Sequence, residues 1–318
     1  MNKGMNEPRV SVIIPVKNEA AKIEQCLEAV FSQSLKPYEV IIVDGHSTDG
    51  TVERAQKFPA KVLYEDYHTR GGARQVGIVN AAGEYVAFTD ASCVPHKDWL
   101  RSLIEEFDTD TIGAGGATVY QDEGFWPKSV NLAFSTFIGS ANSVQGRYFK
   151  EKRSVKSISG GNSMYRRADI MSIGGFNTGF VSEDADLNGR LIKRGKLVYT
   201  PEAIILRHQD RGLNNFVVQI YRWGMVRAAT RLWEVQIIPP ILVPLVLISL
   251  IFTPWVLLAS LGLYLLVILI AGVRFAIQEK DPRYLVSIPI VFIIEHTVYT
   301  VGFWKEIIWP HRKLISRR

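Results

Sequence analysis

The chain is poor in cysteine, with two in 318 residues. Cys26 and Cys93 match no zinc spacing, and such sparing use fits a reducing compartment. No G-x-G-x-x-G follows the first apolar run, and no G-x-x-x-x-G-K-[ST] occurs, which argues against a dinucleotide dehydrogenase and a P-loop NTPase. Met1 to Arg9 is polar and contains no apolar h-region, so no signal peptide is expected and the globular part is expected to stay in the cytoplasm. Charge is missing altogether from Ile237 to Val273. That stretch exceeds one bilayer span of ~20 residues and matches two short ones. The net charge of +6 is concentrated late in the chain, with eight Lys/Arg against four Asp/Glu after Ile237. The basic balance therefore speaks for membrane topology rather than nucleic acid.

What is present before Ile237 is an alternation of short β-branched runs and helical patterns. Val10 to Pro15 reads as a buried strand, and Ile23, Leu27 and Val30 recur at helical spacing after it. Glu39 to Asp44 is a second strand, running into Gly45-His46-Ser47-Thr48-Asp49-Gly50-Thr51, a turn dense in hydroxyl and acidic groups. Val62-Leu63-Tyr64 is a weaker third strand, and Gly71 to Ala82 a helix carrying Arg74. Val86 to Thr89 then delivers Asp90, followed by the small residues Ala91 and Ser92. This order predicts a doubly wound α/β fold whose strands are mostly parallel, with Asp44 and Asp90 at the carboxyl edge where such sheets bind ligands. Each aspartate alone also reads as a turn residue, and Arg74 alone as a solvated helix arginine. Together they suit a nucleotide: carboxylates for ribose, base or a cation on a diphosphate, and a guanidinium for base or phosphate.

Ser11 to Glu19, the V-D-G-H-S-T-D-G-T run through Thr51, Ala73-Arg74-Gln75-x-Gly77 and Ala82-Gly83-Glu84-Tyr85 together resemble the opening motifs of family 2 glycosyltransferases. Asp90-Ala91-Ser92 stands where that family has D-x-D. Ser159-Gly160-Gly161-Asn162-Ser163 resembles its G-G-N segment, and Ser182-Glu183-Asp184-Ala185-Asp186-Leu187-x-x-Arg190-Leu191 its E-D-x-D-L-x-x-R-L helix. Gln219-x-x-Arg222-Trp223 is similar to the Q-x-x-R-W of its polysaccharide synthases. The resemblance implies a GT-A fold and inverting transfer from a nucleotide-diphosphate sugar. It implies donor contacts from Pro15, Asn18, Glu19, Asp44, Arg74, Asp90 and Ser92. Gly160, Gly161, Asn162, Glu183, Gln219, Arg222 and Trp223 are implied for the acceptor or diphosphate. Asp184 is implied as the base that takes the acceptor's proton. A divalent cation, Mg²⁺ or Mn²⁺, is implied at Asp90 with His208 as a further ligand. Two departures bear on that metal: the second aspartate of D-x-D is Ser92, and Gly45 follows Asp44. Read without the resemblance, Glu183, Asp184 and Asp186 are an acidic helix start favoured by the macrodipole, and His208 is a hydrogen-bonded loop residue.

The expected organisation is a polar tail over 1–9, a catalytic domain over 10–233, and a membrane domain over 234–318. The catalytic domain divides into a nucleotide-sugar half, 10–119, and an acceptor half, 120–233. Spans are expected at about 237–253 and 255–273, broken at Thr253-Pro254, with Arg274, Lys280 and Arg283 returning the chain to the cytoplasm. A third apolar segment, 284–304, contains Pro289 and the pair Glu295-His296. Crossing there would leave the basic tail Arg312-Lys313-Arg317-Arg318 outside, so it reads either as an interfacial or re-entrant segment or as a span that breaks the charge rule. Lys150, Lys152, Arg153 and Lys156 form a basic loop that suits anionic headgroups or simply solvent. The function expected is a multi-pass membrane glycosyltransferase of cell-envelope glycan, glycolipid or protein glycosylation, with a lipid-linked acceptor. A processive polysaccharide synthase and a non-catalytic sugar-nucleotide-binding protein are the alternatives.

Overall fold

A computed structural model describes residues 7–121, 124–141, 143–144, 148–179, 182–207, 212–230 and 235–310. The chain divides into two compact units; the first runs to Gln121 and resumes at Tyr148 through the end of the sheet. It opens with β1 (Val10–Val16), α1 (Ile23–Phe31), β2 (Glu39–Asp44), α2 (Thr51–Ala55), β3 (Lys61–Tyr64), α3 (Arg70–Asn80) and β4 (Tyr85–Thr89). β5 (Cys93–Pro95), α4 (Trp99–Ile104) and β6 (Thr111–Tyr120) follow; α5 (Phe125–Phe134) and α6 (Phe137–Ser140) belong to the second unit. The first unit ends with β7 (Arg153–Val155), β8 (Asn162–Arg166), α7 (Arg167–Ser172), α8 (Glu183–Leu191) and β9 (Lys196–Arg207).

These strands make one sheet in the order β3-β2-β1-β4-β8-β6-β9-β5, with β7 on β9. The first four are parallel, as the alternation with helices requires. β8 runs antiparallel between β4 and β6, so the sheet is mixed beyond that point. Alternate residues of each parallel strand enter opposite cores: Val12 and Ile14 face one with Ile23, Leu27 and Val30 of α1, while Ile13 faces the other with Ala73 and Ile78 of α3. Burial on both faces is why these strands read as continuous apolar runs rather than alternating ones.

Leu197 to Pro201 and Ala203 to His208 read in the sequence as two short strands, but the described residues form a single β9, Lys196–Arg207. Its pairing with β6 slips between Gly116 and Ala117, opposite Thr200 and Ile204, so the proline occupies a bulge where its missing N–H costs no ladder bond. The basic loop before it carries β7 and is tied down. Arg153 lies 3.8 Å from the Phe149 ring centroid, and Lys152 pairs with Glu106 at 2.6 Å.

The second unit joins α5 and α6 to α9 (Leu213–Thr230), a 3₁₀ turn, α10 (Ile238–Phe252), α11 (Pro254–Gln278) and α12 (Tyr284–Ile308). α9 and α12 cross where Gly224 meets the Tyr299 carbonyl and Gly302 meets the Tyr221 carbonyl. A Cβ at either position would strike backbone, so the crossing depends on both glycines. By length and composition α11 and α12 are long and apolar enough to cross a membrane. Each has 25 residues, about 37 Å of helix against a hydrocarbon core of roughly 30 Å. α10 has 15 residues, about 22 Å, short of a full crossing. The chain breaks between α10 and α11 at Thr253-Pro254, and the 284–304 segment lies in one continuous helix through Pro289. Within it His296 Nδ1 lies 3.0 Å from the Tyr264 hydroxyl, and Glu295 is buried. The basic tail after Pro310 lies outside the described residues.

Candidate active site

The site is assembled at the carboxyl edge of the parallel strands. β1 and β2 leave the sheet side by side, and their loops are laced together. Asn18 N–H donates to Ser47 Oγ at 2.8 Å, Thr48 N–H to Asn18 Oδ1 at 2.9 Å, and Glu19 N–H to Thr51 Oγ1 at 2.8 Å. Ala20 N–H donates to Asp49 Oδ2 at 3.0 Å. Much of the hydroxyl- and acid-rich run after Asp44 thus serves to set the shape of two loops. Asp44 itself is fully buried, accepting from Ser47 N–H at 2.9 Å and from Ser47 Oγ. Pro15 and Ser92 are partly exposed.

Asp90 follows β4 and turns the chain into β5, its carbonyl accepting from Cys93 N–H at 2.9 Å. Its carboxylate is gripped from two sides. Arg74 Nη2 lies 3.3 Å from Oδ1, and Arg207 Nη2 lies 3.3 Å from Oδ2. Arg74 also donates to Glu183 at the start of α8, and its guanidinium lies about 6 Å from the ring centroids of Phe88 and Phe176. Arg74, Asp90 and Glu183 are 2%, 8% and 5% exposed, so this is a buried network rather than a surface pair.

Burial alone would raise the Asp90 carboxyl, but Arg207, Arg70 and Arg74 outweigh it and hold it below the ordinary carboxylate range. Arg74 is buried as well, which disfavours its charge; Glu183, Asp90 and Asp184 more than compensate and keep it protonated.

Gly160 and Gly161 pass directly over these groups. A side chain at Gly160 would collide with the Arg74 guanidinium, and a Cβ at Gly161 would lie 2.7 Å from Asp90 Oδ2. Gly160 N–H donates to Asp184 Oδ2 at 3.2 Å, while Asp184 Oδ1 accepts from Ala185 N–H at 2.8 Å and from Ser182 Oγ at 3.4 Å. The G-G segment and the E-D helix therefore meet at Arg74 and Asp90, and the glycines are what permit the approach.

Asn162 behaves differently from its sequence neighbours. It is fully buried; its Oδ1 accepts from Trp99 Nε1 at 2.8 Å, and its Nδ2 donates to the carbonyls of Ala117 and Ala203 at 2.9 and 3.1 Å. Its side chain is turned into the core and its polar atoms are engaged there. Glu183 likewise faces Arg74 with little exposure, so it supports the site from beneath. Gln219, Arg222 and Trp223 lie on α9 in the second unit; Arg222 and Trp223 are exposed, and the Trp223 ring is 6.0 Å edge-to-face from Phe134. His208 lies outside the described residues.

Arg207 was not anticipated from the sequence. The signal was available: an apolar run, Ala203 to Leu206, closed by one charged residue, the same pattern that singled out Asp90. Among the described residues no cluster of three or more His, Cys, Asp or Glu side chains is arranged to hold a metal. The donor chemistry is one carboxylate, Asp90, already facing two guanidinium groups. A divalent cation held here would need ligands beyond these side chains to complete its shell.

The sequence matches the Glycosyl transferase family 2 model over residues 11–174. It is 27% identical to dolichyl N-acetyl-alpha-D-glucosaminyl phosphate 3-beta-D-2,3-diacetamido-2,3-dideoxy-beta-D-glucuronosyltransferase of Methanococcus voltae, covering 94% of this chain and 97% of that protein. It is 33% identical to glycosyltransferase AglE of Haloferax volcanii over 68% of this chain and 72% of that one. In fold it is similar to the mannosyltransferase PcManGT of Pyrobaculum calidifontis, solved with GDP-Man and Mn²⁺, with a TM-score of 0.62 at 18% identity over 96% of this chain and 88% of that one.

Proposed function

The chain belongs to glycosyl transferase family 2 and is a glycosyltransferase, and from that premise we propose that it transfers a sugar, with inversion, from a nucleotide-diphosphate donor to a hydroxyl of a lipid-linked saccharide. The observation that carries this reading is the meeting of Asp184, Gly160, Arg74 and Asp90 at one sheet edge. Asp184 has one carboxylate oxygen on the Gly160 amide and the other on the Ala185 amide. Both bonds orient the carboxylate, as a general base requires. It removes the proton of the acceptor hydroxyl while that oxygen attacks the anomeric carbon, and the nucleoside diphosphate departs from the opposite face. Asp44 and the laced loops of Asn18, Glu19 and Pro15 take the nucleoside end, with Ser92 beside Asp90. The backbone of Gly160 and Gly161 lies close enough to Asp90 to approach the sugar or diphosphate.

A divalent cation would be held by Asp90, with His208 as the further candidate ligand. Such an ion supplies positive charge to the diphosphate as its bond to the sugar weakens. The M. voltae relative is named for a dolichyl-phosphate-linked acceptor. Taken with the apolar α11 and α12, this favours an acceptor confined to the bilayer and an enzyme anchored beside it with the sheet on the cytoplasmic side. Gln219, Arg222 and Trp223 on α9 are the proposed acceptor-side contacts, Arg222 for phosphate and Trp223 for a sugar face.

The test is a transfer assay. Membranes carrying the chain, given radiolabelled UDP- and GDP-sugars, are expected to label an extractable lipid. Asp184→Asn is expected to reduce that labelling by about 10²–10⁴-fold with an unchanged unfolding midpoint. Normal turnover in Asp184→Asn removes the base from this scheme, and label appearing only in polymer points to the processive alternative.

A further inference from the structure

Two arginines hold Asp90, and they are not equivalent. Arg74 is enclosed, with its charge divided between Asp90 and Glu183 and further balanced by Asp184. Nothing that enters the cleft can claim it without breaking a buried network. Arg207 stands on the other side of the same carboxylate. It closes β9, where its backbone pairs with Cys93 of β5 and Tyr120 of β6. Two strand partners therefore fix its position, opposite the residue three past Asp90 on the neighbouring strand.

Its side chain is 18% exposed, against 2% for that of Arg74. Among the described residues, one of its five N–H donors is engaged, loosely, at 3.3 Å on Asp90 Oδ2. Its Nε is buried with no hydrogen-bond partner among the described residues. Asp90 and, at longer range, Glu19 are the carboxylates that face it, and Glu19 is paired with Lys22 at 3.4 Å. The third cation near Asp90, Arg70, is exposed at the start of α3. The Nε of Arg74 is also buried without a partner among the described residues, but Arg74 is 2% exposed, so Arg207 is the cation of this cluster that is both held in place and partly open. The second carboxylate position beside it, Ser92, adds no negative charge to oppose an anion.

We propose that Arg207 is a catalytic, donor-binding residue whose guanidinium contacts the diphosphate of the nucleotide sugar and neutralises the leaving group. The proposal rests on the donor reading given above. In the step it serves, a lone pair of the acceptor oxygen forms the new bond to the anomeric carbon. The bond from that carbon to the β-phosphate oxygen breaks and its electron pair leaves with the nucleoside diphosphate. The acceptor's proton goes to Asp184, and the charge gained by the β-phosphate falls against Arg207. A planar guanidinium with free N–H groups suits two phosphate oxygens, and being fixed in advance it needs no reorganisation as charge develops. Asp90 then acts as the group that keeps Arg207 in position, alongside any cation it shares with the donor.

The experiment measures binding to the full-length chain in detergent, by calorimetry, of UDP against uridine and GDP against guanosine, in the presence of EDTA. With cations removed, the preference of the wild type for diphosphate over nucleoside reports the protein's own cations. Arg207→Gln is expected to lower affinity for the cognate diphosphate by at least about tenfold while leaving the nucleoside affinity unchanged, and Arg207→Lys to keep part of the preference. Arg70→Gln is expected to change the preference less. If Arg207→Gln does not fold, as judged by its unfolding midpoint, Arg207→Lys carries the test, and wild-type preference in it overturns the proposal. Undiminished preference in a folded Arg207→Gln overturns it too, as does equal loss for diphosphate and nucleoside. A wild-type chain that binds neither diphosphate, with or without Mn²⁺, overturns the donor reading itself.

Discussion

Arg74 donates to Glu183, 109 residues further along the chain, and its other terminal nitrogen lies 3.3 Å from Asp90. One guanidinium thus ties the helix that follows β3 to the helix that carries the proposed base. Removing one member of such a pair leaves a charge stranded in the interior, at a cost of about 3–5 kcal/mol. Glu183→Gln is therefore expected to lower the unfolding free energy by about 3 kcal/mol, measured by denaturant titration in detergent. Replacing both partners, as Arg74→Met with Glu183→Leu, is expected to destabilise less than either single change. A double variant as unstable as the sum of the singles argues against a coupled pair.

Asn162 is expected to matter for folding and not for donor recognition. Its carboxamide makes three buried hydrogen bonds, to Trp99, Ala117 and Ala203. Asn162→Ala removes these and leaves an indole N–H and two carbonyls without this partner, a loss of about 3 kcal/mol or more at about 1 kcal/mol or more for each group. The unfolding midpoint should fall while the folded fraction keeps its KM for the donor. A raised donor KM at unchanged stability reverses this assignment.

The parallel half of the sheet was legible because strands buried on both faces leave continuous apolar runs, and the ends of β2 and β4 were marked by single aspartates. The motifs likewise pointed to Asp44, Arg74 and Asp184 around Asp90; that the Gly160–Gly161 backbone passes over Arg74 and Asp90 emerges only in three dimensions. The division of labour among them was not legible. Nothing local distinguishes an asparagine that binds a ligand from one that holds Trp99 to β6 and β9, because the difference lies in tertiary hydrogen bonds. The bulge at Pro201 read as a strand break for the same reason: a proline's missing N–H looks alike at a strand end and at a bulge. Arg207 was passed over because His208 beside it carried the metal expectation.

Removing divalent cations is expected to slow transfer without abolishing donor binding. Asp90 is the carboxylate at the cluster's centre, and with Ser92 in place of a second one a cation depends on the diphosphate for its remaining ligands. EDTA should reduce sugar transfer by membranes, with recovery on adding Mn²⁺ or Mg²⁺. Asp90→Asn should raise the cation concentration needed for half-maximal rate. Undiminished transfer in EDTA takes the cation out of the proposed function and leaves the arginines to hold the diphosphate alone.

The two thiols beside Asp90 predict an alkaline limit to stability. Cys93 is fully buried, and burial, with the Asp90 charge adding to it, pushes its thiol from an ordinary value of 9.0 up to about 11, although Arg207 pulls the other way. Cys26 is raised well above the same value, chiefly by burial. Between the unfolded and folded values the folded chain binds more protons than the unfolded one, so stability falls as pH rises. The contribution is fully present below pH 9.0 and is lost progressively up to about 11, about 3 kcal/mol for the Cys93 thiol at about 1.4 kcal/mol per unit. Unfolding free energies measured from pH 8 to 11 should therefore decline, and Cys93→Ala should flatten the decline. In the native chain at pH 8 both thiols should react with a thiol reagent only as fast as the protein opens. A fast stoichiometric reaction under native conditions shows that one of them is reachable as the thiolate, and removes this account of the alkaline slope.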